Sequence, residues 1–259
     1  MSVSELIEPI TGRNGPVSLS AATNWQQGRT LYGGATALIA YTQAIRAFPD
    51  LPPLRAAQIG FVAPASGEVE LSAQIMRQGR NVIQVRSEIH CDGGLALTAF
   101  MLFGTEREPN AIHPGAPADP WPGDPETHDA MDLSRGPSFL SKNYEMRKAQ
   151  DMSGPGEPIV RRWFRLKERD TLDPISTIML LGDTLPPGAM RTMQRKGPIS
   201  SINWSLNLLE PAPATRDGWW LGETRSDGAD HGYSSERLGM WNTDGQQVVS
   251  GLQSVAIFG

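Results

Sequence analysis

The chain has 259 residues, 39% hydrophobic and 20% charged, a globular composition long enough for one large domain or two of ordinary size. A net charge of −5 without a basic run argues against nucleic acid or an anionic membrane surface as the main partner. Cys91 is the one cysteine, which excludes an internal disulfide, and no apolar run reaches the roughly 18 residues of a membrane span.

The opening MSVSELIEPITGRNG has no basic start followed by an apolar stretch, so no secretory signal is expected, and a reducing, cytoplasmic location follows. Residues 1–30 carry few other signals. From Gly34, the run GATALIAYTQAIRAF puts Leu38, Tyr41, Ile45 and Phe48 at offsets of three and four, one apolar helical stripe. Pro49, Pro52 and Pro53 stop it. Three strand-like runs follow: Leu54 to Val62, Glu68 to Met76, and a hairpin over Gly79 to Gly104 turning at Asp92-Gly93. A helix followed by an antiparallel meander able to wrap it is an α+β unit.

Residues 106–137 are rich in Pro, Asp, Gly and Ala and have no period. They read as a linker lying along the surface and ordered in part by Trp121. Beyond it, Phe139 to Ala149 and Ile159 to Lys167 are strand-like, and a short helix is expected from Asp173 to about Asp183, ended by Pro186-Pro187. Strands at Ser200 to Leu209 and Trp219 to Ser226 lead to a closing hairpin, Gly232 to Gly259, turning at Asp244-Gly245. The recurrence of helix, meander and Asp-Gly turn, with PLRAAQIGFVAP answered by PISSINWSLNLLEP, points to an internal duplication. Units of 1–105 and 138–259 are expected.

The landmarks run in order: Tyr32-Gly33-Gly34 before a helix, PLRAAQIGFVAP, the Gly-Arg-Asn strand and Asp-Gly hairpin, then Gly182-Asp183, the Ser-Ser-Ile-Asn strand and a last strand bearing Gln253. On these landmarks the chain resembles the acyl-CoA thioesterase II-like, double-hotdog proteins. The resemblance implies two antiparallel sheets, each wrapped round a central helix, and hydrolysis of acyl-CoA thioesters without metal or organic cofactor. It implies that Asp183, Ser201 and Gln253 hold the hydrolytic water. Counted from the Asp-Gly turns, the first-half counterpart of Gln253 is Met101.

The residues themselves speak unequally for these roles. Gln253 is the one polar residue on a strand face with Val249, Gly251, Val255 and Ile257. A buried amide there must find partners. Asp183 falls near the apolar stripe of its helix, where desolvation would raise its pKa and suit it to work as a base. Strict alternation puts Ser201 in a row with Asn203, Ser205 and Asn207 that a solvated face would explain equally well, and Ser200 is the alternative if the register slips by one. Gly33 and Gly34, opening the first helix, would let a thioester carbonyl approach free N–H groups; a tightly packed helix start is the bland alternative.

No G-x-S-x-G elbow is present, and His90, His113, His128 and His231 lack metal-ligand spacing. Arg77, Arg80, Arg161 and Arg162 could meet coenzyme A phosphates, although exposed arginines on strands are the commoner explanation. A non-catalytic acyl-CoA or acyl-chain binding module is the alternative function, and assembly as a homodimer or tetramer is expected from the sheet faces.

Overall fold

Alternation of apolar and polar side chains drives most of the chain into strands. In the computed structural model, which describes residues 1–153, 156–169, 171–195 and 197–258, eleven of these form one antiparallel sheet. The first half runs α1 (Val3–Ile7), β1 (Gly15–Ser18), the two-residue strands β2 (Gln26–Gln27) and β3 (Thr30–Leu31), α2 (Gly33–Ala47), β4 (Leu54–Phe61), β5 (Glu68–Gln78), β6 (Val82–Cys91) and β7 (Gly94–Gly104). The second runs α3 (Ser138–Asn143), β8 (Tyr144–Lys148), β9 (Ile159–Leu166), α4 (Pro174–Leu181), β10 (Ile199–Leu208), β11 (Trp220–Asp230), β12 (Tyr233–Trp241) and β13 (Gln247–Ile257). Gly259, the end of the closing hairpin stretch, lies outside the described residues.

The sheet order is β1-β5-β6-β7-β4-β10-β13-β12-β11-β9-β8. Its seam is the pairing of β4 with β10, where Gln58 faces Ser205. Outward from that seam the strands match one for one, with β8 added at the far edge. The match extends to irregularities: β4 bulges at Arg55 against β7, and β10 bulges at Ile202 against β13, each three residues before its seam residue. This is a double hotdog, the α+β arrangement that the duplicated landmarks imply, except that the two expected sheets are joined edge to edge through β4 and β10 into one.

Helix α2 is buried without a break from Gly34 to Ala44, not along one stripe. It has β5, β6 and β7 on one side and α4 and α1 on others, and its alanines let all of them come close. Burial of Leu38 or Ile39 there contributes about 1.5–3 kcal/mol each. Helix α4 starts where expected because the Asp173 carboxylate accepts the N–H groups of Ile175 and Ser176 and Pro174 presets the first turn. It ends at Gly182, before the proline pair.

Several expectations are corrected. Residues 139–143 are helical rather than extended, because Phe139 turns inward to stack on Tyr32. The first thirty residues do form elements; α1 is closed by a Ser2–Glu5 capping box. Asp92-Gly93 makes a two-residue turn with both φ positive, at 52° and 77°. Asp244-Gly245 instead sits in a wider loop, where Asn242 Oδ1 accepts the N–H groups of Asp244 and Gln246. His231-Gly232, φ 51° and 83°, supplies a second tight turn, between β11 and β12.

Arg161 and Arg162 are buried, not exposed. The outer face of β9, β11 and β12 carries Trp163, Leu221 and Trp241, which need cover, and the segment after β7 provides it. Trp121 meets Trp163 edge-on, Trp241 Nε1 donates to Ala116 O at 2.7 Å, and Arg161 donates to the Asp119 and Pro120 carbonyls while pairing with Glu223. Arg77 and Arg80 are exposed. Among the described residues no helix is long and apolar enough to cross a membrane.

Candidate active site

Asp183 is the first residue past the C-cap of α4, and the Thr184 N–H closes back on Leu181 O. The chain turns there because Pro186 and Pro187 cannot continue a helix. The turn aims the carboxylate at β10 and β13.

Gln253 reaches it from β13, on the inner face and 4% exposed. Ser201 reaches it from β10, and here simple alternation misleads. The bulge at Ile202 inserts one extra residue, so the strand's phase reverses across it. Ile202 turns out to solvent, and Ser201 joins Trp204, Leu206 and Leu208 on the inner face instead of the polar outer row.

The three side chains close a triangle. Gln253 Nε2 donates to Asp183 Oδ1 at 2.7 Å and to Ser201 Oγ at 2.7 Å, and Ser201 Oγ donates to the same Oδ1 at 3.3 Å. Both bonds to the carboxylate fall on the same oxygen, Oδ1. Asp183 Oδ2 and Gln253 Oε1 have no hydrogen-bond partner among the described residues, and neither is sealed from solvent. Burial pushes the Asp183 carboxyl up from 3.8 to about 6, against the lowering effect of the Gln253 and Ser201 bonds.

Gly33 and Gly34 arrive from the other half. They open α2, whose first N–H groups have no partner within the helix. A Cβ on Gly33 would overlap Asp183 Oδ2, and one on Gly34 would overlap Leu180 O. The N-terminus of α2 thus abuts the C-terminus of α4, with Asp183 between them. The dipole of α4 disfavours the charge on Asp183 and that of α2 favours it.

Tyr32, just before Gly33, clamps this junction. Its hydroxyl donates to Leu180 O at 2.6 Å and accepts from Tyr144 Oη. Burial above all, then the Tyr144 hydroxyl and the Asp183 charge, hold the Tyr32 phenol well above its usual pKa, so it stays a donor. Tyr32→Phe leaves Leu180 O and Tyr144 Oη without that partner and should cost about 1–3 kcal/mol in urea unfolding. Wild-type stability in the variant would remove the clamp.

The first half has the same backbone without the same chemistry. Ala57 and Trp204 each lie one residue before the seam pair, and their neighbours on the next strand are Met101 and Gln253. Leu54 stands one residue before its bulge as Ser201 does before Ile202, and both Leu54 and Met101 are buried. Sequence reasoning missed Tyr144, whose ring lies edge-on to Tyr32; its only signal was a tyrosine in a strand-like run.

Comparison with known proteins bears on the whole chain. The family model of the acyl-CoA thioesterase C-terminal domain matches residues 113–257, and that of the N-terminal domain matches 21–104. A hot dog fold protein of Alicyclobacillus acidocaldarius superposes with a TM-score of 0.79 at 22% identity, covering 96% of this chain and 97% of the other. The tesB protein of Mycobacterium avium subspecies paratuberculosis gives 0.77 at 17% identity over 100% of both chains. Acyl-CoA thioesterase II TesB2 of Mycobacterium marinum gives 0.71 at 16%, covering 99% and 96%. No curated protein matches the sequence.

Proposed function

The chain belongs to the acyl-CoA thioesterase family, and on that premise we propose that it hydrolyses acyl-CoA thioesters with a water held by Asp183, Ser201 and Gln253. The observation that carries this reading is the closed triangle, which commits Asp183 Oδ1 to Gln253 and Ser201 and leaves Oδ2 free beside Gly33.

A water between Asp183 Oδ2 and Gln253 Oε1 can give a hydrogen to each and keep a lone pair for the thioester carbon. As its oxygen bonds to that carbon, a proton passes to Asp183, and the carbonyl oxygen takes up negative charge near the N–H groups of Gly33 and Gly34. Collapse breaks the C–S bond. The departing thiolate takes the proton from Asp183, leaving free acid, coenzyme A and the starting carboxylate. Charge and protons balance with no covalent intermediate.

The test is release of free thiol from purified protein given a panel of acyl-CoAs. Turnover supports the reading; saturable binding without thiol release would leave a binding module instead. Gln253→Met, which installs the first-half residue, removes the donor to both Asp183 and Ser201. It should lower kcat about 10- to 100-fold with a smaller change in KM. Unchanged kcat would exclude Gln253 from the water site.

The same reading takes 1–105 and 138–259 as the two hotdog units and 106–137 as the linker between them. It has them working in the cytoplasm as a dimer or tetramer, for which light scattering on the purified chain is the check. A monomer at micromolar concentration would contradict the assembly.

A further inference from the structure

We propose that Trp204 closes the acyl pocket and restricts this protein to short acyl chains; the inference rests on the thioesterase reading above. An acyl tail leaving the reacting carbon needs apolar space next to Asp183. The gap between the two helices does not provide it there, because Gly34 of α2 lies directly against Leu180 O of α4.

Space adjoins the site on the other side, inside the second half. A small, mainly apolar pocket is lined by Gly182, Leu185, Trp204, Gly222 and Val249, with Glu223 and Thr224 as its polar members. One of its lining residues, Gly182, precedes Asp183 in the chain, and another, Trp204, is the β-sheet partner of Gln253. The pocket therefore begins beside two of the three side chains that hold the water.

Large side chains have taken up the room that glycines left. The edge of the Trp204 indole occupies the place of a Cβ on Gly182, and Phe164 and Leu185 lean over Gly222, the latter 3.0 Å from where its Cβ would be. The free volume is about 10 Å³, hardly enough for one water molecule. Trp204 is 1% exposed, and its Nε1–H has no partner among the described residues, so a smaller apolar residue there gives space without breaking a hydrogen bond. A tail of a few carbons fits by small side-chain shifts; a longer one meets the indole.

The experiment measures kcat/KM on acetyl-, butanoyl-, octanoyl- and palmitoyl-CoA for wild type, Trp204→Ala and Leu185→Ala. Leu185 lines the same pocket and is only partly buried, so its truncation keeps the test available if Trp204→Ala does not fold. Wild type should fall at least about tenfold from butanoyl- to octanoyl-CoA, and the folded variants should regain that factor or more on octanoyl-CoA. Wild-type preference for octanoyl- or palmitoyl-CoA, or variant profiles parallel to wild type, would overturn the pocket assignment while leaving hydrolysis intact. Absence of thiol release from every substrate would instead take down the thioesterase reading and this inference with it.

Discussion

Asp183→Asn is expected to lower kcat about a thousandfold and, above pH 6, to make the protein more stable. Asparagine has the same shape, and its Oδ1 can still accept from Gln253 Nε2 and Ser201 Oγ, so the triangle survives. What is lost is the charge and the place for the proton of water. The wild-type carboxyl titrates at about 6, so kcat should rise with pH through that value and then level off, whereas residual activity of the variant should be flat there. The stability effect has a definite sign. A folded-state pKa raised from 3.8 to about 6 means the folded chain holds the proton more tightly than the unfolded one. Wild-type stability therefore falls as pH rises from about 4 to about 6, and the cost is fully present above that range. Two pKa units bound the effect at about 3 kcal/mol, and the partial exposure of Asp183 reduces it to about 1–3. Urea unfolding at pH 8 should find the variant more stable by that amount, and at pH 4 equal to wild type. Wild-type kcat in Asp183→Asn would remove the mechanism; equal stability at pH 8 would mean the carboxylate is not strained by its burial.

Which parts of this site could be read from the sequence follows from which forces are local. Gln253 was legible because alternation along β13 is regular, so one amide in an apolar row identifies itself. Asp183 was legible as a carboxylate at the end of an apolar helix. Its full surroundings were not, since the α2 terminus that faces it comes from about 150 residues earlier in the chain. Ser201 was named through the family resemblance against its own alternation pattern. The bulge at Ile202 reconciles the two, and a one-residue insertion leaves no mark in composition. Helices and meanders were legible from periodicity, and the duplication from repeated turns. That Trp121 orders part of the aperiodic segment was legible; that the segment docks over Trp163 and Arg161 was not, because long-range burial of an arginine depends on partners such as Glu223 and the Pro120 carbonyl. The fold rests on patterns within elements, the site on where elements end and meet.

Gly33→Ala tests that meeting point from the other half. The glycine's φ is not in the left-handed region, and alanine in a helix is intrinsically better than glycine by about 0.5–1 kcal/mol, so the backbone has no objection to the change. The objection is the Asp183 carboxylate, whose Oδ2 lies where the methyl group would go, with Phe61 Cζ 2.9 Å away on another side. A carboxylate is the far end of a side chain and can swing aside. The variant should therefore fold with a Tm within a few degrees of wild type and lose about 10²- to 10³-fold in kcat. Gly34→Ala makes the contrast, since its methyl group would meet Leu180 O, a backbone atom at the helix junction that cannot step aside. There the loss should appear in stability first. The pH profile separates two causes of a slow Gly33→Ala enzyme. If the methyl group pushes the carboxylate toward water, its desolvation is relieved and the acid limb moves below about 6. If the methyl group only screens the N–H groups from the carbonyl, the limb stays where it was while kcat drops. Wild-type kcat in Gly33→Ala would mean that neither the carboxylate nor the α2 terminus stands at the reacting centre.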